Sequence, residues 1–342
     1  MNKKILVSVL LALFLAGCSF SNPTSAAQPT PVAISNILLT QQANSSLQPT
    51  PFQPILPTAD ASVNSQDAKV YQPTTTPSTP YAMPTFSPSR LNILVLGSDW
   101  RPNAGFRTDV ILLVSINTVA GSVSFVSFPR DLYVNIPGVG EQRINTAQAF
   151  GGFDLTKATF EQNFGIHLDY YILTNFSGFK YLIDTLGGIQ VLPSQALYDH
   201  CDLPQAVGGS CYVEAGVPIW MDGQTALWYV RSRYSTNDFD RTRRAQEVLV
   251  AVFHQLMDMD VLSKAPDLYS IISSNIESNM SLNDLMTLLP IASQIFSDES
   301  RIHRYTIGPD LVTNYTVPDS GAMVLLPNYD AIYSVLSQAF SQ

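Results

Sequence analysis

Three short apolar runs, each bounded by turn residues, open the patterned part of this chain. Leu91–Leu96 ends in Gly97-Ser98-Asp99. Arg107-Thr108-Asp109 leads into Val110–Ile116, and a turn at Ala120-Gly121 leads into Val123–Phe128, which ends in Pro129-Arg130-Asp131. Runs of this length predict buried strands, and their short connections predict an antiparallel meander. Further on, Tyr170–Leu173 predicts a strand, Asn175 caps a predicted helix Phe176–Leu186, and Gly187-Gly188 stops it before a strand Ile189–Leu192. This mixture predicts an α/β fold: a single domain with a central mixed, largely antiparallel sheet flanked by helices.

The second half reads less regularly. Trp228 to Arg233 has the composition of a strand end, and a polar loop with Asp238 follows. A helix is expected from Asp240 or Arg241, with Ala245, Val248, Leu249 and Val252 on an apolar side running towards Phe253 and Leu256. Ala265–Ile276 and Leu282–Phe296 predict amphipathic helices, and His303–Ile307 and Ala322–Leu326 predict strands. Pro327 is placed to open a terminal helix. This region is expected to close the sheet within the same domain.

The N-terminal stretch has no such pattern. Lys3 and Lys4 precede an apolar run, Ile5–Leu15, too short to span a bilayer, which runs into Leu15-Ala16-Gly17-Cys18. Residues 1–18 thus read as a lipoprotein signal peptide with Cys18 as the lipidation site, and the mature chain as an extracytoplasmic lipoprotein held to a membrane by its lipid anchor. Residues 19–89 are rich in Pro, Ser, Thr, Gln and Ala and poor in charge, the composition of a disordered tether. Such a tether spans roughly 50 Å as a coil and up to ~200 Å if drawn out. The domain proper is expected over 90–342.

Charge changes the picture in one place. The chain carries a net charge of −9, with 18 basic residues. Five arginines fall between Trp228 and Gln246. Arginine is the residue that grips phosphate or carboxylate with a planar fork, so this segment predicts an anion site; a salt-bridged exposed helix is the plainer alternative. Arg231 and Arg233 share a face on extended backbone, whereas Arg241 and Arg244 share one on a helix. The meander brings Asp99, Arg107, Asp109, Arg130 and Asp131 to one sheet edge. Two carboxylates there, without a His or Cys cluster, suit a hard cation such as Mg²⁺. The four histidines are scattered without ligand spacing.

These motifs occur in the order of a known family. Gly97-Ser98-Asp99, Arg107-Thr108-Asp109, Phe128-Pro129-Arg130-Asp131, Arg143-Ile144-Asn145 with Gly151-Gly152, Asp222-Gly223-Gln224-Thr225-Ala226-Leu227 leading into Tyr229-Val230-Arg231-Ser232-Arg233, and Asp238-Phe239-Asp240-Arg241 with Arg244 together resemble the LytR-CpsA-Psr family of bacterial cell-envelope enzymes. The resemblance runs from about Leu91 to Leu256. It implies a phosphotransferase that moves a glycopolymer from a polyprenyl-pyrophosphate carrier onto peptidoglycan. By that resemblance Asp99 and Asp109 would bind Mg²⁺. Arg107, Arg130, Arg231 and Arg233 would act on the reacting pyrophosphate, and Arg241, Arg244, Arg143 and Asp238 would help to bind it. Apolar residues would line a tunnel for the lipid. Asp131 and Asp238 both stand as candidates to take the acceptor's proton.

The chain departs from the family at Ala245, where a Gln usually faces the pyrophosphate; Gln246 follows, turned about 100° away on a helix. Arg143 replaces a common Lys, and a lipobox replaces the usual transmembrane anchor. Cys201 and Cys211 are the remaining cysteine pair and, in an exported chain, are expected to form a disulfide around 202–210. Two other readings use the same residues: a pyrophosphatase in which water replaces the sugar, and a solute-binding lipoprotein. A nucleic-acid partner is not expected, because the chain reads as exported and lacks a basic helix-turn-helix pattern.

Overall fold

β1 (Arg90–Ser98), β2 (Thr108–Asn117) and β3 (Ser122–Phe128) form the expected antiparallel meander. Their registers run from Leu91↔Ile116 to Gly97↔Val110 and from Ile111↔Phe128 to Asn117↔Ser122. This computed structural model describes residues 89–99, 106–233, 238–258, 268–270 and 272–342. All of them lie in one unit, Asp60–Gln342. Cys18, the predicted signal peptide, the tether up to residue 88, and residues 265–267 and 271 of the helix expected over Ala265–Ile276 lie outside the described residues.

Three more strands complete a mixed sheet. β4 (Tyr170–Asn175) joins parallel to β1, β5 (Glu277–Ser278) antiparallel to β4, and β6 (Ile302–Thr306) parallel to β3. The order is β5-β4-β1-β2-β3-β6. A parallel neighbour needs a crossover, and α1 (Ala147–Phe164) supplies it for β4. α1 is interrupted at Gly151-Gly152, where Gly152 has φ 62° and ψ −155°, a conformation open in practice only to glycine.

Period-two alternation gives the sheet two buried faces. Leu94, Leu96, Ile111, Leu113, Val126 and Phe128 pack against α1 and the terminal helix α6 (Tyr329–Ser341). Ile93, Leu112, Val114 and Phe125 face the other way, towards α4 (Asp238–Asp258) and α5 (Leu282–Phe296). α2 (Phe176–Thr185) is capped as expected, with Asn175 Oδ1 accepting from the Gly178 amide at 2.9 Å. α5 carries a full capping box, Ser281 with Asp284.

Three boundaries differ from expectation. Trp228–Arg233 is not a strand end: Gly223–Arg231 is a helix, α3, whose Asp222 cap accepts from the Thr225 amide at 2.7 Å. The strong N-cap and burial of Ala226, Leu227, Tyr229 and Val230 outweigh the β-propensity of the Trp-Tyr-Val run. α4 begins at Asp238, two or three residues ahead of the expected start at Asp240 or Arg241. Pro327 ends a strand paired with Val312, so Asn328 rather than Pro327 caps α6.

Candidate active site

One end of the meander gathers charge from three turns. Arg107 donates to Asp99 Oδ2 at 2.7 Å, and Arg130 to Asp109 Oδ1 at 2.6 Å and Asp131 Oδ2 at 3.3 Å. The backbone is stapled beneath these side chains. Thr108 Oγ1 donates to the Asn145 carbonyl at 3.1 Å, and the Asn145 amide to the Arg130 carbonyl at 3.3 Å. Asn145 thereby ties the start of β2 to the turn after β3. Both contacts use the backbone of residue 145, so they fix where the turn sits and not the choice of asparagine.

A β-bulge aims one carboxylate. Gly97 pairs with Val110 but Ser98 pairs with Thr108, leaving Asp109 unopposed. In strict alternation Asp109 would share the face of Ile111 and Leu113. The extra residue lets it turn with Val110 into the cavity on the opposite face. Gly97 makes room for the bulge, since a Cβ there would lie 3.1 Å from Val110 Cβ.

That cavity, of about 940 Å³, lies between the sheet, α2, α4 and α5. Its body is apolar, lined for example by Ile93, Val95, Ile172, Leu249, Phe253 and Leu285. Its polar lining includes Asp99, Arg107, Asp109, Arg130, Arg231, Arg233 and Arg241. Arg231 sits in the last turn of α3, where a cation suits the helix dipole, and its guanidinium lies over the Phe176 ring, 4.3 Å from the centroid. Ser232 leaves the helix with ψ 132°, and this break lets Arg233 line the same cavity despite the helical start. Arg241 donates to the Asp109 carbonyl at 2.9 Å.

α4 distributes its residues over three faces. Arg241, Ala245, Leu249 and Val252 face the cavity. Gln246 turns to the sheet, donating to Ser127 Oγ at 2.6 Å and the Tyr305 carbonyl at 2.8 Å. It therefore docks α4 onto β3 and β6 and does not take the place of a glutamine at position 245. Arg244 departs from its expected role. It is fully buried and absent from the cavity lining. It donates to the Tyr229 carbonyl at 2.7 Å and to the Ser232 carbonyl, so it holds the backbone on both sides of Arg231. Burial, and secondarily Arg243, lower its pKa from the ordinary arginine value.

Behind Arg244 lies a network that pattern reading missed. Tyr229 donates to Glu247 Oε2 at 2.6 Å, and Glu247 Oε1 accepts from Ser194 Oγ at 2.6 Å and Arg243 at 2.6 Å. Burial, then the Glu247 bond, raise the Tyr229 pKa well above the ordinary phenol range. The only sequence signal was an i, i+4 Arg243–Glu247 spacing, which is usually a surface feature.

Arg143 stands outside the cavity. It pairs with Asp131 Oδ1 at 3.2 Å and donates to the Met323 carbonyl at 2.7 Å. The Asp238 side chain lies outside the described residues. Cys201 and Cys211 are bonded, with Cα atoms 5.7 Å apart, and pack with Leu203 against Trp228 of α3. Among the described residues no group of three or more His, Cys, Asp or Glu is arranged to hold a metal. Asp99 and Asp109 still fit Mg²⁺, which takes one or two protein carboxylates and fills its shell with substrate phosphate and water. Their side chains are 17% and 21% exposed, open enough to be reached.

The LytR_cpsA_psr family model matches residues 58–325. TagT of Bacillus subtilis (strain 168), a polyisoprenyl-teichoic acid–peptidoglycan teichoic acid transferase, is 32% identical over 223 residues, covering 63% of this chain and 68% of TagT. TagU of Oceanobacillus iheyensis, named for the same activity, is 34% identical over 207 residues. That match covers 58% of this chain and 62% of TagU, so the chain spans less than two thirds of that relative's length. The solved structure described as TagT bound to LIIa-WTA has the same fold, with a TM-score of 0.57 at 25% identity over 75% of this chain and 92% of that one.

Proposed function

The chain belongs to the LytR_cpsA_psr family, and on that premise we propose that it transfers a glycopolymer from a polyprenyl-pyrophosphate carrier to a peptidoglycan hydroxyl. The hydroxyl gives up its proton to a carboxylate, Asp131 or Asp238 being the candidates, and its oxygen forms a bond to the phosphorus next to the glycopolymer. The bond from that phosphorus to the bridging oxygen breaks, leaving a phosphodiester and the polyprenyl phosphate. The observation that carries this reading is the cavity: an apolar body with five arginines and the carboxylates Asp99 and Asp109 in its lining, the inverse image of an amphiphile with a pyrophosphate head.

Each group has a task in that scheme. Arg107, Arg130, Arg231, Arg233 and Arg241 hold the pyrophosphate and neutralise charge as the leaving oxygen departs, the electrostatic help that dominates phosphoryl transfer. Mg²⁺ held by Asp99 and Asp109 would supply further neutralisation at the phosphate oxygens. The apolar body shelters the prenyl tail, each buried methylene contributing up to about 0.8 kcal/mol.

The test is a transfer assay with the full chain, a prenyl-pyrophosphate-linked sugar, Mg²⁺ and peptidoglycan fragments. Sugar phosphate on the fragments by mass spectrometry, lost on chelation, is the expected outcome. Prenyl phosphate release without attachment would replace the reading with a pyrophosphatase. In the same format, carrier affinity should rise with prenyl length as the apolar body fills; affinity independent of length would disconnect the cavity from the tail.

Anchoring is part of the proposal. Among the described residues no helix is long and apolar enough to cross a membrane, and a lipid on Cys18 would hold the chain at the cell envelope. Cys18→Ser should move the protein from the membrane to the soluble fraction; unchanged fractionation would assign the anchor elsewhere.

A further inference from the structure

With a prenyl tail filling the cavity, an acceptor hydroxyl reaches the phosphorus from the open side of the mouth. There a run of contacts leads away from the phosphate site. Arg130 donates to Asp131, Asp131 pairs with Arg143, and Arg143 donates to the Met323 carbonyl. These residues deliver the surface onto two adjoining hairpins, Tyr133–Ile136 with Gly140–Arg143 and Val312–Thr316 with Met323–Pro327. Leu132 and Leu325 bridge in parallel, and the Leu325 amide donates to the Asp131 carbonyl at 2.9 Å, so the hairpins sit side by side.

Register decides what the first hairpin shows. Tyr133 pairs with Arg143 and Asn135 with Glu141, so these four side chains share one face. Val134 and Ile136 point the other way and are 1% and 0% exposed, locked in the core. Asn135 and Glu141 are exposed, and Tyr133 is half-buried. Tyr315 of the second hairpin, 40% exposed, is near enough to act on the Tyr133 phenol. Burial first, then Glu141 and Tyr315, raise the Tyr133 pKa above the ordinary value. The face that begins at Asp131 therefore carries two tyrosine rings, an amide, a carboxylate and a guanidinium.

We propose that this face is the acceptor subsite, binding a saccharide of the peptidoglycan glycan type and presenting one of its hydroxyls at the Asp131 end of the mouth. The inference rests on the transferase reading and adds the place of its second substrate. Tyrosine rings offer apolar faces with a polar rim, suited to the faces and edges of a sugar. Asn135 Oδ1 accepts from Gln162 at 2.8 Å, and two Arg143 nitrogens serve Asp131 and Met323. The Asn135 amide N–H groups, the rest of the Arg143 fork and the Glu141 carboxylate supply planar donors and acceptors for hydroxyl and acetamido groups. A polyanionic donor polymer would call for clustered cations. This face instead sets one arginine against Asp131 and Glu141, which suits a glycan of low charge.

The experiment uses the full chain and a purified glycan-strand fragment, with Tyr315→Ala, Glu141→Gln and the double variant. The ratio of acceptor KM to carrier KM should rise about tenfold in the double variant, and saturation-transfer NMR signals from the fragment should disappear. Tyr212→Ala, an exposed tyrosine on the disulfide hairpin, should change neither. If wild type transfers and the double variant keeps both its KM ratio and its NMR signals, the subsite is overturned while the transferase reading stands. If wild type transfers nothing, the transferase reading falls. Fragment signals that the double variant still abolishes would then support a glycan site, and their absence from wild type would overturn it.

Discussion

Arg231→Ala lowers the turnover of transfer about 10²–10³-fold, corresponding to ~3–4 kcal/mol of lost charge stabilisation, while the fold is retained. Arg231 is exposed at the end of α3 and stacked on Phe176, and it lines the cavity beside Arg233. Truncating an exposed side chain costs little stability, usually within about 0.5 kcal/mol, so the unfolding midpoint should barely move. Arg231→Lys restores charge without the planar stack and should recover activity only in part. Single-turnover kinetics with the prenyl-pyrophosphate substrate, beside thermal unfolding of each variant, make the check. Wild-type rates in Arg231→Ala would place the chemistry elsewhere.

Arg244→Met has the opposite signature, a loss of stability together with activity. Arg244 is wholly buried and serves the Tyr229 and Ser232 carbonyls. Removing it leaves at least these two buried acceptors without that donor, at about 1–3 kcal/mol each, so urea unfolding should show a loss of roughly 2–6 kcal/mol. Activity falls because the carbonyls it holds flank Arg231, whose position depends on where α3 stops. Arg244→Lys should not rescue, since one ammonium on a flexible stem lacks the fork that reaches both carbonyls. Full stability with lost activity would return Arg244 to direct contact with the pyrophosphate.

Ala245 and Gln246 bear on the same helix. The side chain at 245 faces the cavity, and its methyl leaves room where a glutamine amide would stand. Gln246 is committed to Ser127 and Tyr305. Neither position therefore offers an amide to the charged lining of the cavity.

The sequence by itself determined the meander, the helix that Asn175 caps, the apolar side of α4 and the cysteine pairing. Each rests on local rules: alternation, turn residues, caps and a short loop between two cysteines. It also determined which charges meet, because antiparallel strands with short turns bring Asp99, Arg107, Asp109, Arg130 and Asp131 to one edge. Tertiary structure alone decided how those charges are used. The bulge that turns Asp109 into the cavity depends on the pairing of Gly97 with Val110, a cross-strand relation. The helical state of Trp228–Arg231 depends on burying Tyr229 and Val230 in a core shared with Val248 and Val252. Arg244, alike in type to Arg241 three residues earlier, became a backbone clamp because its face of α4 meets α3. A side chain's role there follows from what the opposing element offers it, and that information is not carried within ten residues of the side chain itself.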